Sequence, residues 1–186
     1  MTARTQSDRL ADFARRAEAA GAAVHHLDGA AAAVDLLCAL AGPEGRAALT
    51  AAARTVLPGL ARALLAASAR PVDPADRPAL ASAGLGVSVA VAGIAETGSV
   101  LLLDLDPADR LTGMLPPVHA VLLDPAGVVP GLTEAAALLR AAASGPSYAS
   151  LVTGPSRTAD IERVLAVGVH GPRELHLLLT PGVRRG

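Results

Sequence analysis

Lysine is missing from all 186 residues, so the 16 basic residues besides histidine are arginines. A Schiff-base nucleophile and the phosphate-gripping lysine of a P-loop are excluded with it. Tryptophan is absent too, and with one tyrosine and one phenylalanine the aromatics make up 1% of a chain that is 52% hydrophobic. The core must therefore be packed from Ala, Val, Leu and Ile. Cys38 is the only cysteine. That rules out an internal disulfide, a cysteine-rich zinc site and a cysteine-ligated iron–sulfur cluster held by this chain alone. Its apolar neighbours Val34, Leu36, Leu37 and Leu40 predict a packed, unreactive thiol. Net charge is −1 with no block of one sign, which argues against a general nucleic-acid or acidic-membrane binder. Pro78–Ala95 is the longest uncharged run, and Ser82, Gly84, Gly86, Ser88 and Gly93 interrupt it. A membrane span needs ~20 consecutive apolar residues, so none is expected. Met1–Arg16 carries Arg4, Asp8, Arg9, Asp12, Arg15 and Arg16 without an apolar stretch, unlike a signal peptide. The expectation is a soluble, cytoplasmic protein.

What is present reads as alternating helices and strands. Arg9–Ala20 and Gly29–Leu40 have helical composition and end at Gly21 and Gly42-Pro43, with a short strand at Ala22–Leu27 between them. Arg46–Ser68 is divided by Pro58-Gly59, and Leu60–Ala67 is its clearer helix. Arg70–Pro78 has four charged residues and three prolines and reads as a loop, with Asp76 or Pro78 starting a short helix to Ala83. Gly86–Val91, Ser99–Leu105, Val118–Leu123, Tyr148–Val152 and Glu174–Leu179 read as strands, and Val128–Val129 as a brief pairing. Leu132–Ala143 reads as a helix capped by Thr133, and Ala159–Val167 as a helix capped by Ser156 or Thr158. This order predicts one α/β domain with a partly parallel sheet.

Three segments could carry chemistry. In Thr153-Gly154-Pro155-Ser156-Arg157-Thr158 a strand stops at a turn and opens a helix, so backbone N–H groups and Arg157 could hold a carboxylate or phosphate. The alternative is a capped turn with a solvated arginine. In Ala95-Glu96-Thr97-Gly98-Ser99, Glu96 sits at a strand end beside glycines that would let a ligand approach, as a base, a nucleophile or a solvated corner carboxylate. Pro116-Pro117-Val118-His119 fixes His119 at a strand start, while His170 and Arg173 flank the Gly171-Pro172 turn as acid-binding cations or as a helix-end pair. His25-His26 lacks the i,i+4 spacing of a helical metal pair, and no metal site is expected. No GxGxxG follows a strand.

The ordered motifs Ile94-Ala95-Glu96-Thr97-Gly98-Ser99, Leu115-Pro116-Pro117-Val118-His119, Leu151–Asp160 and Gly168-Val169-His170-Gly171-Pro172-Arg173-Glu174-Leu175-His176 resemble the lactate-utilisation protein C family of LUD-domain proteins, formerly DUF162. The resemblance spans Gly86–Leu179; residues 1–80 match only loosely, and Thr50–Arg54 departs from the β-branched strand the family leads one to expect there. It implies a NagB/RpiA/CoA-transferase-like three-layer α/β fold with a mostly parallel central sheet. It implies an N-terminal helical segment, residues 1–45, packed on a LUD domain, residues 46–186. It further implies a subunit of a bacterial system oxidising L-lactate to pyruvate beside Fe–S oxidoreductase subunits that carry the clusters, with no cofactor in this chain. Within that reading Glu96, His119 and His170 are the candidates for catalysis. Thr97, Gly98, Thr153, Gly154, Ser156, Arg157, Thr158 and Arg173 are those for a small anionic or nucleotide-like ligand. Glu96 also resembles the nucleophile of CoA transferases, which leaves a CoA-transferase-like enzyme, or a non-catalytic scaffold for the Fe–S subunits, as alternatives.

Overall fold

Two stretches that are apolar on both faces set the centre of the fold. In Val118–Leu123 (β7) and Glu174–Leu179 (β12) successive side chains enter different cores, as buried parallel strands require. The computed structural model describes residues 5–104, 106–142, 145, 148–158, 166–167 and 171–184. Around β7 and β12 stand β1 (Ala23–His26), β2 (Arg46–Leu49), β3 (Arg70–Val72) and β4 (Leu85–Val89), in the order β1-β12-β7-β4-β2-β3. Every pairing in this sheet is parallel. A second sheet, β8-β5-β6-β9, is built from β5 (Ala92–Ile94), β6 (Ser99–Asp104), β8 (Val128–Val129) and β9 (Tyr148–Val152), with antiparallel β5–β6 and β6–β9 pairs.

Apolar cores on both faces of the large sheet and on the outer face of the second hold the layers together. One face of the large sheet packs Val87, Val89, Leu122 and Leu178 against α2 (Ala30–Ala41), α3 (Ala51–Val56) and α4 (Leu60–Ala66). The other face packs Val121, Leu123 and Leu177 against Phe13 of α1 (Gln6–Ala19) and Val100 and Leu102 of the second sheet. The outer face of that sheet, through Ile94 and Leu101, takes Ala135 and Leu138 of α7 (Leu132–Ala141). The result is the layered α/β fold expected, with a central sheet more uniformly parallel than the strand pattern required. Residues before 45 contribute β1 to the same sheet and Phe13 to its core.

Several local expectations give way. Arg70–Val72 is an edge strand rather than loop, because its backbone pairs with β2 while Pro71 sits at the border. Helix α3 starts at Thr50, whose hydroxyl accepts the Ala53 N–H, immediately after β2. Asp106-Pro107 ends β6 and also caps α6 (Pro107–Thr112), Asp106 accepting the Asp109 N–H. Asp76 caps α5 (Arg77–Ala81) as anticipated. Helix α7 begins at Gly131, not Thr133, because Glu134 and Glu96 reach its first N–H groups. Arg157–Thr158 (β10) and Ala166–Val167 (β11) form an antiparallel pair, so Ser156 does not open a helix at Arg157, and Ala166–Val167 is not helical. The middle of that expected helix, 159–165, lies outside the described residues.

Candidate functional site

The two glycine turns of the sequence motifs meet at one place, the C-terminal end of α1. Gly98 (φ +69°) lies so close that a Cβ there would come within 2.4 Å of the Ala17 nitrogen; at Gly154 (φ +72°) it would come within 2.2 Å of the Ala20 carbonyl oxygen. Only glycine combines a left-handed backbone with that approach. The turns are tied together by a 2.5 Å hydrogen bond between the hydroxyls of Ser99 and Thr153, while Thr97 Oγ1 accepts the Ser99 N–H. The space beside both glycines is filled by α1. A helix C-terminus is the negative end of its dipole, which disfavours an anion here.

Glu96 turns away from this junction. Its carboxylate accepts the Leu132 N–H at 3.2 Å, and its own N–H donates to the Pro130 carbonyl at 3.0 Å. With Glu134, which accepts the Gly131 N–H, it places two acids at the positive end of α7. The carboxylate remains exposed to solvent. The Ser156 N–H donates to Pro172 O, and the Arg173 N–H to Pro117 O at 2.7 Å, so the Gly171–Arg173 turn is stitched to the motifs on either side, with Arg173 exposed. Arg157 and Thr158 enter through their backbones in β10. His170 lies outside the described residues.

His119 is 1% exposed on β7, its Nε2 3.0 Å from the Ser88 hydroxyl on β4, and its Nδ1 is buried with no partner among the described residues. Burial pushes its pKa down to about 4, so the ring is neutral at physiological pH. At that depth it serves the β4–β7–α6 contact, with Gly113 closing over the ring. Cys38 is half-buried against the α2–α4 core, where burial and then the charge of Asp35 push its thiol pKa up.

Two constellations escaped sequence reasoning because parallel pairing brings distant residues together. On β1 and β12, His25 Nε2 lies 3.0 Å from His176 Nδ1, and His176 Nε2 lies 3.3 Å from Glu174. Ring centres are 5.2 Å apart with planes 10° from parallel. With the facing nitrogens that close, the rings meet edge to edge rather than stack. The carboxylate fixes His176 as the Nε2–H tautomer, which leaves Nδ1 to accept from His25. Burial, then the neighbouring His176, push the His25 pKa down. The second constellation is the ion pair of Asp124, at the end of β7, with Arg184, at 2.6 Å. An aspartate just past a parallel strand is the one signal that could have drawn attention to it. Among the described residues no group of three His, Cys, Asp or Glu side chains could hold a metal ion, and no helix is long and apolar enough to cross a membrane.

Comparison with known proteins agrees with this architecture. Residues 10–180 match the family model described as LUD domain. A lactate utilization protein C from Anoxybacillus flavithermus is 39% identical over 90 residues, 48% of this chain and 40% of that protein. The Bacillus licheniformis protein of the same name is 38% identical over 94 residues, 48% of this chain and 39% of that protein. The matched segment thus spans well under half of these relatives' length. The crystal structure of a DUF162 family protein from Deinococcus radiodurans superposes with a TM-score of 0.67 at 19% identity, over 96% of this chain and 99% of that one. With a family match across nearly its whole length, this chain belongs to the LUD domain family.

Proposed function

We propose that the chain serves a bacterial lactate-utilisation system in the cytoplasm, one that oxidises L-lactate to pyruvate with Fe–S oxidoreductase subunits as partners. The observation that carries the reading is the similarity to proteins named lactate utilization protein C, together with the family match over residues 10–180. Oxidation of lactate to pyruvate releases two electrons and two protons, so an electron acceptor is required. Cys38 is the only cysteine of this sequence, too few to ligate a cluster, and this supports the reading in which partner subunits carry the clusters. The contribution of this chain is then to bind a small anion and to dock. Exposed Arg173, next to the Pro117 contact, is the described cation of the shared motifs best placed to meet such a ligand. Deleting the gene in a host without a paralogue abolishes growth on L-lactate as sole carbon source if the reading holds; normal growth rejects it.

A second reading, a CoA-transferase-like enzyme that forms an acyl adduct on Glu96, is favoured by the solvent exposure of that carboxylate beside a glycine turn. To attack, the carboxylate would have to leave the Leu132 N–H. Acyl transfer by a Glu96→Gln protein at the native rate excludes it.

A further inference from the structure

At the C-terminal ends of the central strands β4 and β7 lies a crevice of about 190 Å3, walled by Val91, Leu123, Ala126 and Val183 and rimmed by Asp124 and Arg184. Open α/β sheets place ligands at this end of their strands. Asp124 is 7% exposed and held from several sides. One oxygen accepts the Ala126 N–H at 2.9 Å, the other accepts Arg184 Nε at 2.6 Å, and the Gly182 N–H adds a third bond. Partial burial works to raise its pKa, but the hydrogen bond and charge of Arg184 and the two backbone donors outweigh this and leave it lowered. Asp124 is therefore a fixed anion with donors besides Arg184.

The geometry of Arg184 follows from that anchor. Its side chain is 70% exposed although its Nε is pinned to a carboxylate that is only 9% exposed. A guanidinium held through Nε keeps both Nη groups in a fixed plane, and neither has a bond to another described residue. We propose that this crevice binds a small monocarboxylate, its carboxylate on the Nη fork of Arg184 and its carbon chain against Val91 and Leu123. A crevice of about 190 Å3 has room for an acid of about three carbons. The choice of a hydroxy acid rests on the lactate reading above; the carboxylate anchor does not.

The test is calorimetric titration of the full chain with L-lactate, with propanoate, and with L-lactamide, the neutral isostere of L-lactate, at low ionic strength, where an exposed charge contact is least screened. L-lactate binds, and lactamide binds at least roughly tenfold more weakly, the loss expected for one charge-assisted pair. Arg184→Gln weakens L-lactate by a similar factor with an unchanged circular dichroism spectrum. Gly127→Val weakens it independently, because a Cβ there meets nothing nearer than Val91 O at 3.6 Å and the added methyls fill the crevice. No binding of L-lactate or propanoate by the native chain, or native affinity in both variants, overturns the site. Either result leaves the growth phenotype of the gene deletion as it was. Normal growth of the deletion strain rejects the lactate system and leaves propanoate binding through Arg184 standing.

Discussion

Replacing Phe13 by alanine removes the only phenylalanine from a core that has no other large ring to fill the space. Phe13 is 0% exposed, and its ring lies over Gly93, where a Cβ would stand 3.0 Å from Phe13 Cε2 and 2.8 Å from Leu123 Cδ2. Burying a phenylalanine is worth about 1.5–3 kcal/mol, and the cavity left by truncation brings the cost of Phe→Ala to about 3–5 kcal/mol. Against a total stability of about 5–15 kcal/mol, that is about a fifth of the whole or more. Gly93→Ala alone should also destabilise, because the new methyl overlaps the ring and Leu123. In a Phe13→Ala background the methyl enters the vacated space, so the pair is less destabilising than the sum of the single changes, by about 0.5–3 kcal/mol of coupling. Urea denaturation of the four proteins of the cycle, at equal m-values, measures this. A Phe13→Ala cost below about 1 kcal/mol, or strict additivity with Gly93→Ala, would refute the docking of α1 across the second sheet.

Acid sensitivity follows from His119. Its folded pKa of about 4 lies below the ordinary value of 6.5, so the unfolded chain binds the extra proton first as pH falls. The His119 contribution should decline from about pH 6.5 to about pH 4 and then level off; His119→Gln flattens that segment of the urea-midpoint profile, and an unchanged slope counts against a neutral buried ring. Asp124 works in the lower range: its depressed pKa gives stability that is present above the ordinary carboxylate range and lost as pH falls through the lowered value. Asp124→Asn removes that acid dependence, measured by melting temperature below pH 5. Gly154→Ala should cost more than about 2 kcal/mol, since it joins left-handed strain to overlap with the Ala20 carbonyl. Gly59→Ala, with nothing within 4 Å and a right-handed backbone, should be neutral or slightly stabilising. Equal effects at the two positions would contradict the α1 junction.

How far the sequence reveals this molecule depends on the range of the interactions. Val118–Leu123 and Glu174–Leu179 are legible because burial on both faces writes an apolar run into the chain itself. Ala159–Val167 misleads at its end because its composition suits a helix, whereas Ala166–Val167 pairs with Arg157–Thr158 as a strand. Arg70–Val72 misleads in the opposite way, its prolines and charges hiding a strand that exists by virtue of β2. Glu96 is visible as a polar residue at a strand end, yet its partner, the start of α7, lies 36 residues on. His25 meets His176 across 151 residues and Asp124 meets Arg184 across 60, contacts set by sheet order and register, which no local pattern encodes.

The most direct measurement is a pull-down of the tagged protein from lactate-grown native cells, with L-lactate-dependent dye reduction assayed on the eluate. Recovery of Fe–S subunits together with that activity is the predicted result. A chain recovered alone and inactive, from cells that are oxidising lactate, would contradict a role in lactate utilisation.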